Sequence, residues 1–236
     1  MRSTRHFFYW ILPTAFVMTL VGMYFSGVPQ LRSIVAPAYS REFGLLENTQ
    51  NAILLATVFM AVCGLRRAQA LTERLGFSML CAAAAFLFLE EINYGEHFWN
   101  FMTGQSLHAP RGQEFNLHNK ISTSPTKSVA NLILLLFFVI LPLAVRERSP
   151  AWLRFIAPPR LLIVTVMLSV AVSRYAHYLD NINADTAHAL GSNIAEFREA
   201  FTYYIGLVYV HTLVFRRRWP GWRDELTPRP TGTAND

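Results

Sequence analysis

Charge and cysteine are both scarce in this chain, and each scarcity removes a class of protein. Only 15% of the residues are charged, against 53% hydrophobic and 14% aromatic, and the mean hydropathy is positive. A soluble domain carries about a quarter of its residues as Asp, Glu, Lys and Arg, so this chain is too apolar to be one. Its two cysteines, Cys63 and Cys81, lie inside apolar runs. That excludes a secreted disulfide framework and leaves them as core thiols. Metal-binding signatures are missing too: there is no His-x-x-x-His, and no Glu-x-x-His pair on each of two helices. Zincin-type and di-iron-bundle sites are thereby excluded. No internal repeat is visible.

What is present is a series of apolar runs of membrane-spanning length. The composition predicts an all-α fold, a polytopic transmembrane helical bundle of six spanning helices over residues 7–27, 48–65, 75–94, 128–145, 159–180 and 196–215. These six make up a transmembrane domain over 1–218, followed by a Pro-, Gly- and Thr-containing tail, 219–236, expected to be disordered. The first run ends in Tyr24-Phe25-Ser26-Gly27 and is too long for a signal-peptide core, so it is expected to be retained as a helix. Ser124-Pro125 makes a helix start, with Ser as cap and Pro at the first helical position. The small-residue stripe Cys81-Ala82-Ala83-Ala84-Ala85 predicts close approach of neighbours and a central place for the third helix.

The net charge of +6 does not point to nucleic acid, because the basic residues fall in short clusters between apolar runs. Of the 21 Lys and Arg, fourteen fall on the side of the N-terminus, of the links around Arg66-Arg67 and Arg146-Glu147-Arg148, and of Arg216-Arg217-Arg218. The positive-inside rule therefore places both termini in the cytoplasm of a multi-pass protein of the inner, cytoplasmic membrane. Ten of the fifteen acids and five of the seven histidines go to the opposite side. The polar ends of the third, fifth and sixth helices and a long loop thus meet at one membrane interface.

That convergence defines the candidate site. Glu90 and Glu91 end a membrane-grade apolar run, an expensive placement for two carboxylates. Helical spacing puts Glu90, Tyr94 and His97 on one face; Ser173, His177 and Asp180 on another; Glu196, Glu199 and Tyr203 on a third; Glu114 and His118 are four apart. Carboxylate with imidazole suits a divalent metal, zinc, iron or manganese, with Glu114, His118 and His177 as candidate ligands and Glu90 or Glu91 as base. Asn119, Arg174 and the remaining residues of those faces complete the candidate set. A competing reading is a structural ion-pair network in which Arg174 and Arg198 neutralise Glu90, Glu91, Glu196 or Glu199.

Two resemblances attach to these residues. Glu90-Glu91-Ile92-Asn93-Tyr94-Gly95-Glu96 with Gly112-Gln113-Glu114-Phe115-Asn116-Leu117-His118-Asn119 resembles a paired pattern of uncharacterised bacterial multi-pass membrane proteins. It carries no function with it, and implies that Glu90, Glu91, Glu114, His118 and Asn119 form one unit. Glu90-Glu91-Ile92-Asn93-Tyr94 is also similar to the Glu-Glu-Asn-Tyr string of alkaline ceramidases, intramembrane zinc amidases, with one residue inserted. Ser173-x-x-x-His177 resembles their Ser and His pair, which would make His177 a zinc ligand and Ser173 an oxyanion helper. Those enzymes have seven helices and a closing His-x-x-x-His that this sequence lacks, and shared fold does not decide function.

The expectation is therefore an inner-membrane bundle, embedded in the lipid bilayer, with a Glu/His site at its extracytoplasmic face. Its chemistry would be metal-assisted hydrolysis or transfer on a lipid-linked substrate. The alternatives are a structural or assembly subunit docking other membrane subunits, and a cation- or proton-coupled transporter component. Against the last, the acids sit at helix ends and no Gly or Pro break marks a midplane site.

Overall fold

A computed structural model describes residues 5–37, 43–104, 124–183, 190 and 194–215, and among them there are helices and connecting turns but no strand. Helix α1 begins as a π-helical turn, Phe7–Ile11, and continues through Leu12–Tyr24; α2 is Pro29–Val35, α3 Leu45–Arg67 and α4 Leu71–Glu91. A 3-10 turn, Asn93–Gly95, leads into α5, Glu96–Thr103. Helix α6 runs from Ser124–Leu135 through a π turn, Leu136–Ile140, into Leu141–Ala144; α7 is Ala151–Ile156, α8 Leu161–Ile182 and α9 Glu196–Phe215. The expected tail, 219–236, lies outside the described residues.

Four helices are long and apolar enough to cross a membrane: Phe7–Tyr24, Leu45–Arg67, Leu71–Glu91 and Leu161–Ile182. Large apolar side chains cover their outer faces, with Phe59 67%, Met79 73% and Met167 61% exposed. A surface of that character is matched by lipid rather than water. The apolar stretch Asn131–Ala144 is shorter.

Both π turns have a proline as their cause. Pro13 and Pro142 lack an N–H, and a proline ring pushes away the carbonyl four residues earlier, widening the turn before it. The carbonyls freed before Pro13 are not left bare. Thr165 Oγ1 donates to Tyr9 O at 3.1 Å and Tyr204 Oη to Phe8 O at 2.6 Å. Tyr9 Oη and Thr212 Oγ1 share a hydrogen bond of 2.8 Å, and Trp10 Nε1 reaches Leu161 O at 3.1 Å. The proline in α1 thus creates the acceptors that tie α1 to α8 and α9, as a bundle in lipid requires.

Helix α9 is the hub. Phe197, Phe201 and Ile205 are buried along it, against Leu20, Val21 and Tyr24 of α1 and Leu46 of α3. It is not one of the four most apolar helices, because Glu196, Arg198 and Glu199 open it and Tyr, His and Thr recur along it. A helix surrounded by other helices need not be apolar all round, provided its polar groups find partners.

The third apolar run is not central. Its helix, α4, is the least buried of the four, with 11% of its most apolar window enclosed, and Ala82 and Ala83 are exposed. Close approach to α3 is made at Gly64 instead, where a Cβ would sit 2.4 Å from the Phe77 ring. Small residues permit contact but do not say which side makes it.

Candidate functional site

The helix ends sort into two layers, an arginine-bearing one where α3 and α9 end and an acidic one where they begin. At the acidic end, α3 starts at Leu45 rather than near Asn48, which carries Glu47 into the helix. Glu47 and Gln50 then lie on the stripe that continues through Leu54, Thr57, Ala61 and Gly64, all buried. That alternating three-and-four spacing is a helix-packing seam, so both polar side chains are turned into the bundle. Gln50 is fully buried, and its Nε2 donates to both the backbone oxygen and Oε2 of Glu196, each at 3.1 Å.

Helix α4 delivers Glu90 and Glu91 and then stops. Glu90 is 3% exposed and Glu91 is half-buried. The chain next takes three left-handed residues in succession, Asn93 at φ 47°, Tyr94 at φ 52° and Gly95 at φ 89°. Gly is free there and Asn tolerates it, but for Tyr this conformation costs about 1–2 kcal/mol. The break is stabilised locally by Ile92 N donating to Phe88 O at 3.1 Å and Gly95 N to Ile92 O at 3.0 Å. It turns the Tyr94 hydroxyl back to donate to Glu90 Oε1. That hydrogen bond, with a smaller effect of burial, holds the Tyr94 phenol above its ordinary value. Asn93 is tucked beneath, 2% exposed, and Glu96 is buried at the start of α5.

Helix α9 supplies the other wall. Glu196 and Glu199 occupy its first turn, where the helix dipole favours negative charge. One to two turns on, Tyr203 Oη donates to Glu91 Oε1 at 2.5 Å, joining α9 to α4. Each of the two adjacent carboxylates therefore accepts a tyrosine hydroxyl, one from its own element and one from across the bundle. Arg198 donates to Asn131 Oδ1 of α6.

Other expected members are placed differently. Ser173 is buried while His177 and Arg174 are exposed, so the Ser173–His177 pair is split between the packed and outer faces of α8; Asp180 is half-buried. Among the described residues no three His, Cys, Asp or Glu side chains are disposed to hold a metal ion. Glu114, His118, Asn119 and the His97 side chain lie outside the described residues. Sequence reasoning passed over Glu47, Gln50, Asn93 and Glu96 as site members. The seam spacing from Leu54 to Gly64, extended backwards, marks Glu47 and Gln50. Nothing comparable marks Asn93, which is buried by the turn it helps to make.

At the rim, Phe98, Trp99, Phe101 and Met102 of α5 are exposed, and Phe43 packs on Phe98 and Phe101 with ring centroids 6.0 and 4.8 Å apart. An apolar lip beside buried acids is a surface suited to the headgroup region of a bilayer. Comparison of the chain with protein-family models, with curated proteins and with solved structures finds no match to any of them.

Proposed function

We propose that this chain is a six-span protein of the inner membrane with both termini in the cytoplasm, and that its acidic end is an extracytoplasmic acid–base centre for hydrolysis or transfer on a lipid-linked substrate. The four apolar helices support membrane residence; α6 and α9 supply the remaining two spans, and the arginine bias supplies the orientation. One observation carries the chemistry: adjacent carboxylates in unlike surroundings, Glu90 dry and Glu91 half-buried, each held by a tyrosine hydroxyl. Acid–base sites are built in this way, with one proton carrier shielded and the other open to the reacting group. Glu91 is the base and Glu90 its buried partner. The α5 lip brings the substrate's lipid portion alongside. Should a zinc, iron or manganese ion assist, His177, His118 and Glu114 are its candidate ligands and water activation its contribution.

The test is turnover of a lipid-linked substrate panel by the protein in nanodiscs, for wild type, Glu91→Gln and the arginine-end control Arg67→Gln. Turnover lost in Glu91→Gln and kept in Arg67→Gln supports the reading. Full cellular function in a Glu90→Gln, Glu91→Gln double variant overturns it. Proton-driven cation uptake into liposomes would assign the cluster to a transporter, and a stoichiometric co-purifying protein would assign it to an assembly subunit.

A further inference from the structure

The link between α6 and α8, residues 145–160, carries four arginines, Arg146, Arg148, Arg154 and Arg160, against one acid, Glu147. It joins the apolar stretch Asn131–Ala144 to the membrane-length helix Leu161–Ile182, so a short tether at each end keeps it beside the bilayer surface. A bias of arginine is what topology alone asks of such a link. Topology asks nothing more, yet this link is folded. Ser149 N donates to Arg146 O and Arg146 N to Ser149 Oγ, each at 3.0 Å, closing a tight turn around Glu147 and Arg148. Helix α7 follows, and its six residues are too few to hold a helix in water without outside contacts. The bundle supplies them: Tyr209 Oη donates to Ile156 O at 2.6 Å, Phe155 packs on the core, and Ala157 is buried. Arg160 Nε donates to Pro142 O at 3.2 Å, which ties the two ends of the link together. What the bundle does not cover is polar and aromatic together. Trp152 is 64% exposed, and Arg146, Arg148 and Arg160 are exposed with it.

We propose that this link is a docking surface for an anionic phospholipid of the leaflet it faces, with Arg146 and Arg148 offered to headgroup phosphates and Trp152 lying among the headgroups beside them. Charge complementarity selects the occupant. Four positive charges against one negative favour a lipid of net negative charge over a zwitterionic one. Guanidinium groups match phosphate with paired N–H donors. A lipid is mobile and adjusts to exposed guanidinium groups, so the surface needs local charge rather than convergence on one point. The indole adds a second, independent reason: its apolar body is left to water in a soluble loop but is covered at the headgroup level of a bilayer. The α3–α4 link is the internal comparison. It has exposed Arg66, Arg67 and Arg74, as topology asks, but no helix of its own and no tryptophan. An acidic protein would also answer the arginines, yet the tethers to α6 and α8 set this surface against the membrane, where lipid is always at hand. The inference uses only the membrane residence in the reading above and none of its acid–base chemistry, so lipid binding and turnover succeed or fail separately.

The experiment is titration of the full-length protein in detergent micelles with phosphatidylglycerol, bound lipid being counted by native mass spectrometry. Phosphatidylcholine is the zwitterionic arm, and glycerol phosphate and inorganic phosphate are the lipid-free arms. Phosphatidylglycerol should bind about tenfold or more tighter than phosphatidylcholine, and added salt should shrink the difference. At about fivefold per arginine, an Arg146→Gln, Arg148→Gln double variant should weaken phosphatidylglycerol about twentyfold and leave phosphatidylcholine within about twofold. Trp152→Ser should weaken both lipids alike, because the indole does not read charge. Arg174→Gln, which removes an exposed arginine towards the other end of α8, should bind both lipids like wild type. Equal affinity for the two lipids in the wild type overturns the proposal. So does a double variant or Trp152→Ser that binds like wild type, or an Arg174→Gln loss as large as the double variant's. Glycerol phosphate or inorganic phosphate binding as tightly as the lipid also overturns it, and assigns the arginines to a soluble anion.

Discussion

The two ends of this bundle use polar side chains for opposite purposes. At the arginine end they close the backbone: Arg74 Nε donates to Ala68 O at 3.3 Å, Arg160 Nε to Pro142 O at 3.2 Å, and Tyr209 Oη to Ile156 O at 2.6 Å. Arg67 lies over the Phe215 ring, 5.2 Å from its centre, with Arg66 and Arg67 exposed. At the acidic end, Glu47, Glu90 and Glu96 are buried, the amide oxygens of Gln50, Asn51 and Asn93 lack a hydrogen-bond partner, and a tyrosine is held in left-handed backbone. Strain and buried acid collected at one end are what the proposed acid–base centre rests on.

The largest effect expected from breaking that contrast is on activity. Glu91→Gln should lower turnover about 10²–10⁴-fold, as loss of a general base does, while Arg67→Gln leaves it within about twofold. Equal losses in both would erase the distinction between the ends.

Stability should show the reverse dependence. Gly64→Leu, which drives a side chain into the Phe77 ring, should cost about 1–3 kcal/mol in reversible unfolding and leave turnover at the acidic end within about twofold. A larger change in turnover there would mean that the two layers are coupled through α3.

A matched pair of hydroxyl deletions sharpens the comparison further. Tyr203→Phe removes a hydroxyl that donates to a carboxylate across the bundle and should cost about 1.5–3 kcal/mol, whereas Tyr209→Phe removes an ordinary bond to a carbonyl and should cost about 0.5–1.5 kcal/mol. Equal costs by chemical unfolding would indicate that the Glu91 contact is not special.

The smallest expected effect is alkaline. The hydrogen bond to Glu90 raises the Tyr94 phenol, and the protonated form is the one that donates. A group raised in the folded state contributes stability that is fully present below its unfolded value, about 10, and is lost as pH rises through its folded value. Tyrosinate absorbance should therefore begin later in wild type than expected for a free phenol at this position, and the difference should vanish in Tyr94→Phe.

How much of this was legible depended on the reach of each signal. Apolar runs and the arginines that end them act locally, so the four membrane-length helices could be read from spacing, whereas the short helices α2, α5 and α7, which carry no such run, could not. The pairing of Glu90 and Glu91 was visible because two carboxylates at the end of such a run are costly wherever they fall. The alanine stripe of α4 misled, since smallness allows contact on every side and the partner, Gly64, was on another helix. Helix α9 was readable as a helix but not as the hub, because its polar groups are acceptable only where neighbours satisfy them.

By itself, then, the sequence determined an all-helical, membrane-grade chain with arginine at one end and carboxylate at the other, since hydropathy and charge belong to each residue alone. Only the tertiary structure decided which carboxylates are dry, that Tyr203 reaches Glu91 from another helix, and that Gln50 and Asn93 keep an oxygen unsatisfied. Burial and partnership are properties of pairs distant in the chain, and α3, α4 and α9 had to be packed together before those pairs existed.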